Sequence, residues 1–387
     1  MKILSIETSC DETAVALLSV SKTKIKICGN ALFSQASLHE EYGGVFPNLA
    51  RREHQKNLTL LLSKALGQKL KIKKQKINLK TQDKINKIKE ILKREPELLK
   101  EFEEKIIFLK KPKIDRIAVT QGPGLEPALW VGISFAKALG ELWGVPVQGV
   151  NHMEGHIWAE ILHQKSNIKS NEYEIRKIKF PALALLVSGG HTELVLIKKL
   201  GSYKIVGQTR DDAVGEAFDK VARLLGLPYP GGPQISHLAT KARNQKQKNP
   251  LIVLPRPMMY TKDFDFSFSG LKTAVLYLTH KIKPLDSQKQ EDIALEFENA
   301  VVEVLVHKTK KALEHFKART LIVGGGVSAN TFLRQNLTTL AEDTKTDILL
   351  PTPDMATDNA VMIGIVAGLR SQKPTKKPIK AEGNLSL

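Results

Sequence analysis

Apolar positions open the chain. Residues Lys2 to Glu7 form a largely apolar run and Thr13 to Val20 a second. Thr8-Ser9-Cys10-Asp11-Glu12 lies between them as a polar turn, so two strands are expected, followed by a hairpin closed by polar residues. Glu7 and Asp11 break the first run too early for an export signal, so it reads as a buried strand. Arg51 to Ala65 brings Leu58, Leu61, Leu62 and Ala65 onto one side of a helix. From about 69 to 113, Ile85, Ile88 and Leu92, then Leu98, Leu99, Phe102 and Ile106, predict two amphipathic helices separated near Pro96, lying outside the core.

Regular order resumes at Ile114 to Thr120, a strand that enters Gln121-Gly122-Pro123-Gly124 and leads to a helix over Ala128 to Trp143. Ala182 to Val187 is nearly all apolar, as in a strand covered on both faces, and ends in Ser188-Gly189-Gly190-His191. Thr320 to Val323 runs likewise into Gly324-Gly325-Gly326. Three glycine turns at strand ends predict an α/β fold with a ligand in its cleft. The runs 164–179 and 240–250, and the tail after Arg370, read as surface loops or frayed ends.

With 387 residues, 42% of them hydrophobic, the chain is long enough for two lobes, and nothing in it resembles a membrane span. Cys10 and Cys28 are too few for a disulfide framework, which points to a reducing cytoplasm. The net charge of +19 fits a polyanionic partner such as nucleic acid, or equally a solvated face. Residues 69–113 carry 15 Lys and 1 Arg against 1 Asp and 6 Glu, so 16 − 7 = +9 of that charge lies on an inserted basic arm.

His152 and His156, four apart, fall on one face of a helix, near enough to share a metal ion. Asp358 is a candidate third ligand or a cap for the helix that follows it. The zinc-protease pattern needs Glu directly after the first His; here Met153 stands there and Glu154 comes one residue later. No Gly-x-x-x-x-Gly-Lys-Ser/Thr run exists, which excludes a P-loop. The turns at Ser188-Gly189-Gly190 and Gly324-Gly325-Gly326 suit phosphate oxygens or simply supply tight turns. Glu216, Asp219 and Lys220 suit a ribose or form an ordinary helical ion pair. Tyr229-Pro230-Gly231-Gly232-Pro233 is a constrained turn. Phe264, Phe266 and Phe268 suit substrate packing or core filling.

Seven runs, in order, resemble a known family: Ile6 to Thr13, Asn151 to His156, Leu186 to Thr192, Gly215 to Lys220, Ser267 to Lys272, Gly324 to Asn330 and Thr357 to Asn359. The chain is similar to bacterial tRNA N6-adenosine threonylcarbamoyltransferases over nearly its whole length, except for the arm and the tail. The resemblance implies an actin-like, sugar-kinase-like α/β fold of two similar lobes with an interlobe cleft. The lobes are expected at 1–150 and 151–358, with 359–387 forming a C-terminal helix that returns to lobe I, and a tail.

It implies transfer of threonylcarbamoyl from threonylcarbamoyl-AMP to N6 of the adenosine 3′ of the anticodon in tRNAs reading codons that begin with A. A metal-dependent ATPase or metalloprotease of the same fold is the alternative. Metal ligands would be His152, His156 and Asp358, holding one divalent ion, iron(II) first, with zinc and magnesium as alternatives. Leu186, Val187, Ser188, Gly189, Gly190, Asp219, Gly232 and Asn330 would hold the adenylate. Asp11 and Glu12 are candidates for contacting or deprotonating the adenine amine. Implied partners are a paralogous protein of the same fold, a small P-loop ATPase and tRNA, with no membrane. The basic arm departs from the family's pattern and offers a surface to tRNA phosphates, to a partner protein, or to neither.

Overall fold

The computed structural model describes residues 1–70, 79–163, 171–245, 252–370 and 378–387. They form two compact units. The first comprises Met1–Ala36, Val45–Arg176 and Asp358–Leu387, and the second Ser37–Gly44 and Lys177–Thr357.

In the first unit, β1 (Lys2–Glu7), β2 (Glu12–Val20) and β3 (Lys24–Ser34) form an antiparallel meander. α1 (Pro47–Leu66), α2 (Leu79–Leu92) and α3 (Pro96–Glu101) follow, then β4 (Arg116–Gly122), α4 (Glu126–Trp143), β5 (Val147–Asn151) and α5 (His152–Ala159). Two short strands, β6 (Leu162–His163) and β7 (Glu172–Ile175), close the far edge, giving the sheet order β5-β4-β1-β2-β3-β7-β6. β4 is parallel to both β1 and β5.

Every residue of β1 after Lys2 is buried, because both faces of the sheet are covered. Leu4 and Ile6 join the core made with α1 and α4, while Ser5 and Glu7 point the other way. On that second face lies α11 (Ala360–Leu369), the last helix among the described residues. Its Gly364 lets the backbone settle on β1 and β2: a Cβ there would stand 2.5 Å from Leu18 Cδ1 and 2.9 Å from Ser5 Oγ.

The second unit repeats the plan. β8 (Ala182–Val187), β9 (Thr192–Lys199) and β10 (Ser202–Gln208) form an antiparallel meander. The helices α6 (Val214–Leu224), α7 (Gly231–Asn244), α8 (Ser269–Lys281) and α9 (Ser287–Phe316) lead to β11 (Thr320–Gly324), and α10 (Thr331–Asp343) leads to β12 (Asp347–Leu349). The order β10-β9-β8-β11-β12, with β8, β11 and β12 parallel, matches β3-β2-β1-β4-β5 strand for strand and sense for sense. This duplicated meander followed by two parallel crossovers is the actin-like, sugar-kinase-like plan expected from the sequence.

Four expectations are corrected. Residues 151–176, assigned to lobe II, belong to the first unit, because α5 continues from β5 and β7 pairs with β3. The described part of the arm is core: Ile85, Ile88, Leu92, Leu98, Phe102 and Ile106 are fully or nearly fully buried, most of them in the cluster that includes Leu58 and Phe135. The helical periodicity was legible, but the α1–α4 surface that receives it was not. The residues 71–78 of that arm lie outside the described residues. The runs read as loops also hold structure, since β7 lies within 164–179 and α7 extends into 240–250. Residues 378–387 of the tail are tied down: Gly124 N donates to Gly383 O (3.0 Å), Glu382 N to Gln121 O (3.0 Å) and Asn151 Nδ2 to Ser386 O (3.2 Å).

Candidate metal centre

Asn151, at the end of β5, caps α5 by accepting from Met153 N (2.9 Å) and Glu154 N (3.2 Å). The helix therefore begins at His152, and one turn later His156 lies beside it, with ring centroids 4.7 Å apart and planes nearly perpendicular. Asp358 reaches both rings: its Oδ1 stands 3.3 Å from His152 Nε2 and 3.1 Å from His156 Nε2. The capping role that sequence left open for Asp358 falls to its neighbour, since Asn359 Oδ1 accepts from Met362 N at 3.0 Å. Asp358 is thereby left to the imidazoles.

The geometry fits an ion. Ligand atoms about 2.1 Å from a metal, at angles near 90–110°, stand roughly 3.0–3.4 Å apart. The separations of 3.1 and 3.3 Å fall in that range, and the three candidate ligand atoms all lie within 4.8 Å of one another. Burial opposes charge on His152, yet Asp358 and Glu7 raise its pKa well above the usual imidazole value. Burial likewise pushes Asp358 up, and the two histidines overcome it, holding its carboxyl well below the usual range. Such a site favours positive charge.

Glu7 organises the first histidine. Its Oε2 lies 3.1 Å from His152 Nδ1 and accepts from Thr120 Oγ1 (2.5 Å), and its Oε1 accepts from Ser9 N (2.5 Å). A carboxylate accepts only, so Nδ1 carries a proton, and Nε2, the nitrogen beside Asp358, is the one that would be left to a metal ion. Sequence reasoning passed over Glu7 as a break in an apolar run. An acid in a strand buried on both faces was the signal available. Glu7→Gln is expected to weaken divalent-metal affinity about 10–100-fold, the usual cost of losing such a partner. Competition against a chromophoric chelator measures it, and unchanged affinity would show that Glu7 has no hold on the site.

Asp11 and Glu12 stand where β1 turns into β2. Burial, then Asp11, then Asp358 push the Glu12 carboxyl well above its ordinary value, and the same neighbours, after burial, push the Cys10 thiol up. The turn thus carries Glu12 into the electrostatic range of Asp358. Glu154, the residue a protease reading would enlist, is fully buried and ion-paired with Arg370, whose Nε donates to its Oε1 at 3.0 Å.

The expected adenylate residues lie in the second unit. Leu186 and Val187 have fully buried side chains, so only their backbone can meet a ligand. Ser188 Oγ accepts from Gly190 N (3.3 Å) and His191 N (3.0 Å), shaping the turn, and a Cβ on Gly189 or Gly190 would meet open space. Gly215, at the start of α6, packs on this turn: its N donates to Ser188 O at 3.1 Å, and a Cβ there would stand 2.7 Å from that oxygen. Asp219 Oδ1 accepts from Gly231 N (2.7 Å), next to Gly232 at the start of α7. Asn330 caps α10 through Leu333 N (2.8 Å) and donates to Ser236 Oγ and Glu298 Oε1 (2.7 Å each). A cavity of about 520 Å³ adjoins Asp219, lined also by Tyr42, Arg223 and Tyr229.

Two of the side-chain groups singled out in the sequence are engaged within the fold. Lys220 pairs with Asp212 (2.7 Å) and Glu216 (2.9 Å), and Phe266 and Phe268 are fully buried core. Asp211 fastens the latter segment by accepting from Ser267 Oγ (2.6 Å), Ser269 Oγ (2.7 Å) and Phe268 N (2.8 Å), a link no local pattern announced.

Residues 26–79 and 97–365 match the family described as tRNA N6-adenosine threonylcarbamoyltransferase, so α2 from Lys80 to the turn at Pro96 falls outside the match. A protein of that name from Nitrosomonas eutropha is 40% identical over 387 residues, covering 100% of this chain and 97% of the relative. Another from Thermosipho africanus is 40% identical over 385 residues, covering 100% and 98%. Among solved structures, the activator of the 2-hydroxyisocaproyl-CoA dehydratase from Clostridium difficile is similar over 98% of this chain and 99% of its own, at 11% identity and a TM-score of 0.46.

Proposed function

The chain belongs to the tRNA N6-adenosine threonylcarbamoyltransferase family and is an acyltransferase of tRNA modification, and on that premise we propose how its residues divide the work. The donor is threonylcarbamoyl-AMP and the acceptor is N6 of the adenosine 3′ of the anticodon in tRNAs reading codons that begin with A. N6 bonds to the carbamoyl carbon, the bond from that carbon to the phosphate oxygen breaks, and AMP and a proton leave.

The observation that carries this reading is the convergence of His152, His156, Asp358 and the Asp11–Glu12 turn at one place. His152, His156 and Asp358 would hold one divalent ion; two imidazoles and a carboxylate suit iron(II), and also zinc or magnesium. Once bound, that ion supplies Lewis acidity toward an acyl or phosphoryl oxygen. Asp11 and Glu12, side by side on the turn beside Asp358, orient the incoming amine and take its proton. The open backbone at Gly189 and Gly190 receives the donor's phosphate, Asp219 and Gly232 its ribose, and Asn330 keeps α7 and α10 in place around it.

The alternatives lose on separate grounds. Glu154 is buried and engaged by Arg370, which speaks against a protease base there. The ATPase reading loses instead to the family match, which is to threonylcarbamoyltransferases. We place the protein in the cytoplasm, working with a paralogous protein of the same fold and a small P-loop ATPase; among the described residues no helix is long and apolar enough to cross a membrane.

The test combines purified protein, these helpers, threonylcarbamoyl-AMP and unmodified tRNA, and then digests the tRNA. Threonylcarbamoyladenosine, identified by mass and dependent on this chain, is the expected product. Its absence with all components active would refute the proposal.

A further inference from the structure

His54 is fully buried on α1 and takes no part in the chemistry above, yet both its ring nitrogens are engaged by the turn that carries the two acids. Its Nε2 lies 2.9 Å from Cys10 O, and its Nδ1 2.7 Å from Thr13 Oγ1. A carbonyl only accepts, so Nε2 carries the proton and Nδ1 accepts from the Thr13 hydroxyl. These contacts fall on the residue before Asp11 and the residue after Glu12. Gln35 completes the bracket: its backbone N donates to Asp11 O at 3.0 Å, and its Nε2 reaches His54 Nδ1 and Thr13 Oγ1, both at 3.4 Å.

The turn needs such a hold. Asp11 and Glu12 are adjacent acids in a half-buried turn, and their affinity for water favours a turn that opens outward. The bonds within the turn do not oppose that motion, because they would move with it. α1 does oppose it, since the helix is anchored by Leu58, Leu61 and Leu62 in the core of the first sheet. One imidazole spanning the turn thus transmits the rigidity of the core to the two acids.

We propose that His54 is a positioning residue for the transfer reaction: by bridging Cys10 O and Thr13 Oγ1 it fixes the turn so that Asp11 and Glu12 face the acceptor amine. The proposal rests on the roles given to those acids above. It assigns His54 no contact with substrate or metal.

Three substitutions separate the two bonds. His54→Gln places an amide N–H near the position of Nε2 and keeps the bond to Cys10 O. His54→Asn reaches only as far as Nδ1 and keeps at most the bond to Thr13, and His54→Ala keeps neither. The kcat for threonylcarbamoyl transfer is expected to fall by about tenfold to a hundredfold in His54→Ala and His54→Asn, the range for a displaced catalytic group. His54→Gln should stay within about threefold of the parent. KM for threonylcarbamoyl-AMP should hold steady in all three, because its proposed contacts lie elsewhere. Hydrogen exchange of a peptide spanning residues 8–14 reads the same clamp without activity: exchange should quicken in His54→Ala and His54→Asn and stay slow in His54→Gln.

If all three variants keep parental kcat and exchange, or if His54→Gln falls as far as His54→Ala, the clamp is refuted. Should His54→Ala fail to fold, the contrast between Asn and Gln decides. If exchange separates the variants as expected while the parent enzyme itself makes no modified adenosine, the clamp stands and the assigned reaction fails.

Discussion

His152→Ala combined with His156→Ala is expected to abolish stoichiometric metal binding and to lower threonylcarbamoyl transfer by about three orders of magnitude. A Lewis acid contributes several kcal/mol to a transition state, and each 1.4 kcal/mol or so is tenfold in rate. The rest of the site predicts that the loss is specific. Both histidines are buried with Asp358 between them, so removing both rings leaves a carboxylate with no counter-charge at its Oδ1. Asp358→Asn should lose metal as well, since the amide withdraws the one anionic ligand. Elemental analysis of the purified variants and the mass-detected tRNA product measure the two effects. Stripping the parent with a chelator and restoring iron(II), zinc or magnesium singly ranks the candidate ions by recovered rate. Full activity in the double variant would remove the metal from the reaction.

Phe102→Ala is expected to destabilise the protein by about 3–5 kcal/mol, the usual cost of emptying a large aromatic site in a core. Phe102 is fully buried, and its ring meets Phe135 edge to face with centroids 6.0 Å apart. An arm outside the core would tolerate the change within about 0.5 kcal/mol. Urea unfolding distinguishes the outcomes, and Lys93→Ala is the control: Lys93 is exposed and, among the described residues, pairs with exposed Glu90, so its loss should cost little. The same burial changes how the arm's charge is to be examined. Deleting it would open the core and confound any effect on tRNA. Replacing its exposed lysines, followed by a salt series of tRNA binding, isolates the electrostatic contribution.

Much of the candidate site was legible because its signals are local. Two histidines four apart on a helix declare a shared face, and glycines at strand ends declare open backbone. Periodicity likewise marked the inner face of the arm. Other features depend on residues far apart in the chain. Glu7 and Thr120 meet across 113 positions, and His156 and Asp358 across 202. No pattern within one segment could say that Glu7 orients His152, or that Asn359 and not Asp358 caps the last helix. The apolar face of the arm showed that it packs, but not on what.

By itself, then, the sequence determined the periodic elements, the glycine turns, the His152–His156 pair and, through seven ordered motifs, the family. The tertiary structure decided that residues 151–176 belong with the first sheet, that the arm is core, that the tail is held, and that Asp358, Glu7 and His54 converge around the turn of Asp11 and Glu12. The physical reason is the range of the interactions. Helical and strand periodicity arises between residues a few positions apart, whereas sheet pairing, burial and carboxylate–imidazole contacts join segments that only the folded chain brings together.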